Sequence, residues 1–254
     1  MNSPTQNILE QLKILVVRPM HPDGTAWVAG AAAFTLLALL SGWDMAGTFA
    51  LLTFALYVIF RDPARVSPQL EGLVAAPADG ILTKLEDATW PSWSEQGGDA
   101  RRFVIQTRIY DVHVLRSPMQ GTVTHMEHMP GQWGSNVFDK TAQGNERLSI
   151  TLDVGGGQRA VLDIVAGALP QRIHPSAQVG DAVTLGQPLA YAAFGAQVEL
   201  FLPNDMELVA QTGQHMVAGE TPIAAALSLV SANNAPSNDD VAVLPNSAGW
   251  AENL

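Results

Sequence analysis

The side chains able to do chemistry in this chain are few. Asp79 lies in Pro77-Ala78-Asp79-Gly80 and His113 in Asp111-Val112-His113-Val114, and a carboxylate and an imidazole are the usual groups for moving protons. Each also has a plain structural reading. Aspartate before glycine is what a β-turn prefers, and a histidine alternating with apolar neighbours fits a satisfied core position. His125 and His128 flank Glu127, but a strand would send the two rings to opposite faces and no third ligand accompanies them, so no metal site is expected. The absence of cysteine removes disulfides, thiolate metal sites and a cysteine nucleophile together. Phe194-Gly195-Ala196 joins two apolar runs, Gly186–Ala193 and Gln197–Pro203, with glycine where a strand must bend or approach another backbone closely.

The elements that must position these residues are of two kinds. Ala26–Ser41 and Met45–Phe60 are almost uncharged apolar runs split by Gly42-Trp43-Asp44. Each has about 16 residues against the roughly 20 of a perpendicular membrane span, so two short membrane helices or an inserted hairpin are expected. Ile8, Leu9, Leu12, Leu15 and Val16 before them have helical spacing, which suits an amphipathic segment lying at an interface. From Val66 onward the chain turns to short β-branched runs punctuated by Gly and Pro, an all-β signature. Leu73–Leu82 reads as strand, turn and strand, and Phe103–Val114 as one strand. Leu148–Val154 and Arg159–Val165 form a hairpin about Gly155-Gly156-Gly157. Pro118-Met119-Gln120-Gly121 repeats the pattern of Pro77–Gly80, which suggests two similar turns on related strands. Trp90–Ala100 reads as a polar loop of the kind tolerated as an insertion. The expected organisation is an interfacial N-terminus over residues 1–25, two apolar membrane helices over 26–60, a β domain over 61–229 and a disordered acidic tail over 230–254.

The net charge of -11 lies beyond Arg65, because residues 1–65 carry as many acidic as basic side chains. After Arg172 there is no lysine or arginine. No basic face is available to neutralise phosphates, so a nucleic-acid partner is excluded. Lys13 and Arg18 precede the apolar pair, Arg61 and Arg65 follow it, and the connecting turn has no basic residue. By the positive-inside rule both ends face the cytoplasm, with the β domain on the cytoplasmic side of an inner membrane.

In order along the chain, Phe60-Arg61-Asp62-Pro63 with Arg65, Ala76-Pro77-Ala78-Asp79-Gly80, and Asp111-Val112-His113-Val114-Leu115-Arg116-Ser117-Pro118 with Gly121 are followed by Asp139-Lys140, Asn145-Glu146-Arg147, Gly180-Asp181 through Gly186-Gln187, and Phe194–Pro203. This series resembles the phosphatidylserine decarboxylase proenzyme family in its short form, over about Pro19 to Pro203. The resemblance implies a mainly β fold, a compact sandwich or flattened barrel behind a membrane-associated helical hairpin. It also implies a self-made cofactor. Family members cut their backbone between a glycine and a serine, and the serine becomes a pyruvoyl group. That ketone condenses with the amine of phosphatidylserine and acts as electron sink for loss of carbon dioxide. By position, Asp79 and His113 are the activating and proton-transferring residues, Gly195 and Ala196 flank the cleavage position, and Asn145-Glu146-Arg147 is structural, with Glu146 and Arg147 paired. A phospholipid membrane and phosphatidylserine are the implied partner and ligand, and a homo-oligomer remains open.

At the bend the chain departs from the family. Ala196 stands where the serine belongs, and a methyl group can neither attack a carbonyl nor become a pyruvoyl group. The one Gly-Ser pair, Gly134-Ser135, falls in a different motif. Ala193 and Gln197 replace usual basic residues that could have met the lipid phosphate, and Leu115 replaces a usual asparagine. The chain is therefore expected not to process itself, and to be either a decarboxylase silenced at one position or a membrane-tethered pseudoenzyme or scaffold.

Overall fold

A computed structural model describes residues 20–68, 70, 72–94, 96–131, 144–166 and 173–226. The segment about Ile8–Val17, Gly134-Ser135, Asp139-Lys140 and the tail over 230–254 lie outside the described residues.

Helices α1 (Pro22–Leu40) and α2 (Ala46–Ile59) form an antiparallel hairpin. Pro22 opens α1, where a missing N–H costs nothing, so this helix begins four residues before the apolar run does. Gly42 takes a left-handed φ of 69° in the connecting turn. The hydroxyls of Thr35 and Thr53 meet at 2.9 Å across the hairpin, and each lies within hydrogen-bond reach of the carbonyl four residues back, so that one donates to its carbonyl and the other across the hairpin. The outer surface is apolar and open: Trp27, Leu37, Leu40, Leu51 and Phe54 are each more than 60% exposed. At 1.5 Å per residue the helices are about 28 and 21 Å long. Among the described residues no helix is long and apolar enough to cross a membrane.

The rest is mainly β. Strands β2 (Gly80–Thr89), β3 (Asp99–Gln106), β5 (Gly121–Met129), β6 (Arg147–Gly155), β7 (Gln158–Ala166), β9 (Ala182–Val183), β11 (Ala196–Pro203) and β13 (His215–Met216) form one curled half-barrel sheet in the order β13-β2-β3-β11-β7-β6-β5-β9. Two three-stranded sheets flank it. One is β1 (Leu73–Ala75), β14 (Pro222–Ala226) and β12 (Met206–Leu208); the other is β4 (Val114–Arg116), β10 (Pro188–Ala192) and β8 (Ile173–Pro175). The main core between them includes Phe103, Ile105, Leu148, Ile150, Leu162, Ile164 and Leu200, all fully buried, which alternate along β3, β6, β7 and β11 as a one-sided sheet requires.

The sheet order reads symmetrically from both ends, and the hydrogen bonds repeat in two halves. Gly213 N donates to Leu82 O and Leu82 N to Gln214 O; in the other half Gly180 N donates to Val123 O and Val123 N to Asp181 O. Both strands carry a bulge just after that residue, between Leu82 and Lys84 and between Val123 and His125. The two Pro-x-x-Gly turns exchange bonds across the pseudo-twofold, Ala75 N to Pro118 O and Arg116 N to Pro77 O, each 2.8 Å. This is the structural basis of the repeated turn pattern. In this correspondence Asp79 matches Gln120, and His113 matches Gly72, whose carbonyls accept from Ala192 N and Ala226 N respectively. The bend Phe194-Gly195, with φ of 62° and 94°, matches the tight hairpin Gly156-Gly157, with φ of 63° and 81°.

Three expectations are corrected. The run Phe103–Val114 is not one strand: β3 stops at Gln106 and β4 starts at Val114. Between them Asp111 accepts from the backbone N–H and the guanidinium of Arg108, closing a loop that the continued apolar content conceals. His113 is thus a buried loop residue. Glu146 and Arg147 do not pair with each other: Glu146 accepts from His128 at 2.7 Å and Ile173 N at 2.9 Å, while Arg147 reaches Asp163 at 2.7 Å. Trp90–Ala100 is no bare polar loop. Trp90 and Ala100 pack with Val161 and Phe201 in a small apolar cluster of their own.

Candidate active site

The bend between β10 and β11 is held by its neighbours. Gln106 at the end of β3 pairs with both Ile81 of β2 and Gln197 of β11, so these lie in one row across three strands, two strand spacings or about 10 Å apart. The next residue, Thr107, donates its N–H to Ala196 O at 2.9 Å. A side chain on Gly195 would stand 2.7 Å from Thr107 O, and one on Gly80 would collide with Gln106 O. Glycine is therefore required at both positions by close approach, and at Gly195 by its φ as well. Thr107 thus separates the turn bearing Asp79 from the Gly195–Ala196 bond. Phe194 keeps a left-handed φ where its counterpart is a glycine, a conformation costing of order 1–3 kcal/mol for a residue with a Cβ. Ala196 is buried, its methyl facing the main core alongside Val198 and Leu200.

Asp79 is nearly buried and fully engaged. Its Oδ2 accepts from Arg65 Nη2 at 2.7 Å and its Oδ1 from Ala218 N at 2.8 Å. Burial pushes its carboxyl above the usual aspartate range, and the Ala218 N–H and the Arg65 charge oppose that rise only in part. Asp111 goes the other way. Burial raises it, but the bonds and charge from Arg108 outweigh that and hold it below the usual range. Arg65 also stands 3.7 Å from Glu220, whose other oxygen accepts from Val66 N.

His113 lies on the other side of the bend. Its carbonyl accepts from Ala192 N at 3.0 Å, and its ring meets Tyr191 edge-on at 6.4 Å. Nδ1 is 3.1 Å from Ile59 O, the last residue of α2. A carbonyl can only accept, so Nδ1 carries the hydrogen and Nε2 is the basic nitrogen of the neutral ring.

The foot of the helical hairpin is part of this arrangement. His21 stacks on Tyr191 at 4.0 Å and 9°, and Phe60 packs on Tyr191 and edge-on against Phe194 at 6.5 Å. Val28, Phe60, Val112, Val114 and Tyr191 form the apolar contact between hairpin and β domain. Just beyond, Asp62 pairs with Arg116 at 2.7 Å, and Arg116 also donates to Gly186 O at 3.0 Å. The motif Phe60-Arg61-Asp62-Pro63 with Arg65 therefore binds the hairpin to the β domain by stacking and two ion pairs.

The loop from Thr107 to His113 thus links these residues: Gly195 and Ala196 touch its first residue, His113 is its last, and the turn bearing Asp79 meets it through Gly80. Arg65, Thr107, Phe194 and the Ile59 carbonyl complete the arrangement; Arg65 and Phe194 left a trace in the sequence, as parts of motifs, and the other two did not. His125 and His128 have separate partners, Trp93 and Glu146, and among the described residues no group of three acidic or histidine side chains could hold a metal.

Comparison with known proteins bears on the family. The phosphatidylserine decarboxylase family model matches residues 52–224. The chain is similar to the phosphatidylserine decarboxylase proenzyme of Ruegeria pomeroyi, 32% identical over 82% of this chain and 95% of that one. It is 37% identical to the proenzyme of Saccharopolyspora erythraea over 82% of this chain and 89% of that one. With that of Symbiobacterium thermophilum it shares 35% identity, over 79% and 93% of the two chains. The family match over more than half of the chain and the identity across most of each relative lead to one conclusion: this chain belongs to the phosphatidylserine decarboxylase family.

Proposed function

We propose that this chain is a membrane-tethered family member that neither processes itself nor decarboxylates, and that binds phospholipid at the site its relatives use for chemistry. The observation that carries the reading is Ala196. The bend has the left-handed Phe194-Gly195 backbone, Asp79 and His113 flank it, and the residue after the glycine ends in a methyl. The pyruvoyl group of the family derives its carbonyl carbon from a serine bearing a hydroxyl. The side chain at position 196 does not fit that origin, so no step is derived through the group.

The roles open to this chain's own residues are binding and positioning. Asp79 and His113 have the positions for general acid and base work. With no nucleophile between them, they remain as two oriented polar groups beside a closed turn. The exposed apolar hairpin favours attachment to a lipid surface, since its outward face is a large contiguous apolar patch. A charge distribution with Arg61 and Arg65 at its foot supports an inner membrane with the β domain on the cytoplasmic side.

Restoring the hydroxyl by Ala196→Ser tests the reading. Self-cleavage accompanied by carbon dioxide release from phosphatidylserine is expected if position 196 alone is silenced. Cleavage without turnover would assign the remaining loss to Ala193 and Gln197. A wild-type chain that releases carbon dioxide would refute the proposal.

A further inference from the structure

Four arginines gather where the apolar hairpin meets the β domain, and three are neutralised. Arg65 is paired with Asp79, Arg108 with Asp111 and Arg116 with Asp62. Arg61 differs. Its Nη2 donates to the neutral Tyr110 carbonyl at 3.2 Å, and among the described side chains no carboxylate forms an ion pair with it. A guanidinium has five N–H donors in a planar fork, and this one, on a half-buried residue, spends one of them on the Tyr110 carbonyl. Its backbone is fixed by a bridge to Met20, which ties both ends of the hairpin together.

The surroundings of Arg61 have a chemical character. Along α2 the exposed apolar side chains Leu51, Leu52 and Phe54 stand about two turns back, beyond the partly buried Leu56, Tyr57 and Ile59; on the other side, Ile109 and Tyr110 stand more than half exposed. Phe60, its neighbour in sequence, touches Phe194 at the bend. Ala193 and Gln197, next to the bend, supply no positive charge, and Gln197 is turned to Glu199 at 2.7 Å. A guanidinium with no carboxylate partner among the described side chains, set between an apolar helix hairpin and a buried polar site, matches a ligand with apolar chains, one phosphodiester and a polar head beyond it. A planar fork can meet phosphate oxygens bidentately.

We infer that Arg61 holds the phosphodiester of a glycerophospholipid whose acyl chains lie along the exposed face of the α1–α2 hairpin and whose head group points to the bend at Phe194-Gly195-Ala196. This rests on the reading that the hairpin meets lipid. A free phosphate would satisfy the guanidinium but not the apolar surface, so the two sources are separable.

The test uses the full-length protein in a neutral detergent, titrated with dihexanoyl-phosphatidylserine, dihexanoyl-glycerol, glycerophosphoserine and inorganic phosphate. The phospholipid is expected to bind more tightly than the other three. Arg61→Gln is expected to weaken it about tenfold or more, as loss of a charge-assisted contact does, and Arg61→Lys to weaken it less. Arg159→Gln, the same charge change at the far end of the sheet, should leave binding unaltered. Equal phospholipid binding by wild type and Arg61→Gln would overturn the role of Arg61 and leave the phospholipid reading standing. Inorganic phosphate or glycerophosphoserine binding as tightly as the lipid would overturn the lipid as source. No binding of any amphiphile by the wild type would overturn the phospholipid reading itself, and this inference with it.

Discussion

Replacing Arg65 by methionine should expose how much the Asp79 turn depends on one cation. The side chains of Asp79 and Arg65 are 9% and 13% exposed, and their contact is 2.7 Å. Removing one member of such a pair leaves an uncompensated buried charge, worth about 3–5 kcal/mol. Ala218 N–H remains on Asp79, so the lower end, about 3 kcal/mol near pH 7, is expected. The second contact of Arg65, to the one-third-exposed Glu220, adds little. For a domain of this size that is a fall in Tm of about 6–12 °C. The pH dependence is the sharper signature. Burial already holds the folded-state pKa of Asp79 above 3.8 despite Arg65, and losing the arginine raises it further. A raised folded pKa means stability that is present below the unfolded value and is lost as pH rises through the folded one. The penalty of Arg65→Met should therefore be small near pH 4 and grow toward pH 7. Thermal melts followed by circular dichroism across that range measure it, and the double variant Arg65→Met/Asp79→Asn should recover most of the loss. A penalty below about 1 kcal/mol at pH 7, or one independent of pH, would refute the assignment of Arg65 as the cation that stabilises the carboxylate form of Asp79.

Gly195→Ala introduces a Cβ at a φ of 94° and 2.7 Å from Thr107 O, so it should destabilise the fold by at least about 2 kcal/mol, whereas Gly97→Ala, with open space around it, should change the Tm little. Ile150→Ala in the fully buried main core should cost about 3 kcal/mol, read from denaturant midpoints. Adding phosphatidylcholine–phosphatidylglycerol vesicles should shift the fluorescence of the exposed Trp27 and Trp43 to the blue. The double variant Trp27→Phe/Trp43→Phe should lose that shift; its persistence would move the lipid contact elsewhere. Nitrogen NMR of histidine-labelled protein should find His113 protonated at Nδ1, and the opposite tautomer would remove the role given to the Ile59 carbonyl.

The parts of the fold that the sequence made legible are those where a local rule has no competitor. Gly155-Gly156-Gly157 between alternating runs can only be a hairpin, and Gly195 between two apolar runs marks a bend that β10 and β11 do meet at. The two Pro-x-x-Gly turns were visible as a repeat because the pseudo-twofold needs the same close approach twice, Gly80 on Gln106 and Gly121 on Asp153. What stayed hidden is long-range. Arg65 meets Asp79 and Asp62 meets Arg116 through tertiary folding, with no periodicity to announce them. Glu146 and Arg147 looked like a pair because opposite charges are adjacent, yet neighbours along an extended chain face opposite ways. Phe194 gave no sign of its left-handed backbone, since a bulky residue is disfavoured there and only the surrounding packing imposes it. The Ile59 carbonyl on His113 could not be read at all, because a backbone acceptor has no residue type.

The most direct measurement is the intact mass of the purified full-length wild-type chain under denaturing conditions, before and after treatment with a carbonyl-trapping amine and reductant. A single species at 27.0 kDa without an adduct is the expected result. Two fragments divided between Gly195 and Ala196, or an adduct on the new N-terminus of the second, would contradict the claim that this family member keeps the turn and lacks the nucleophile.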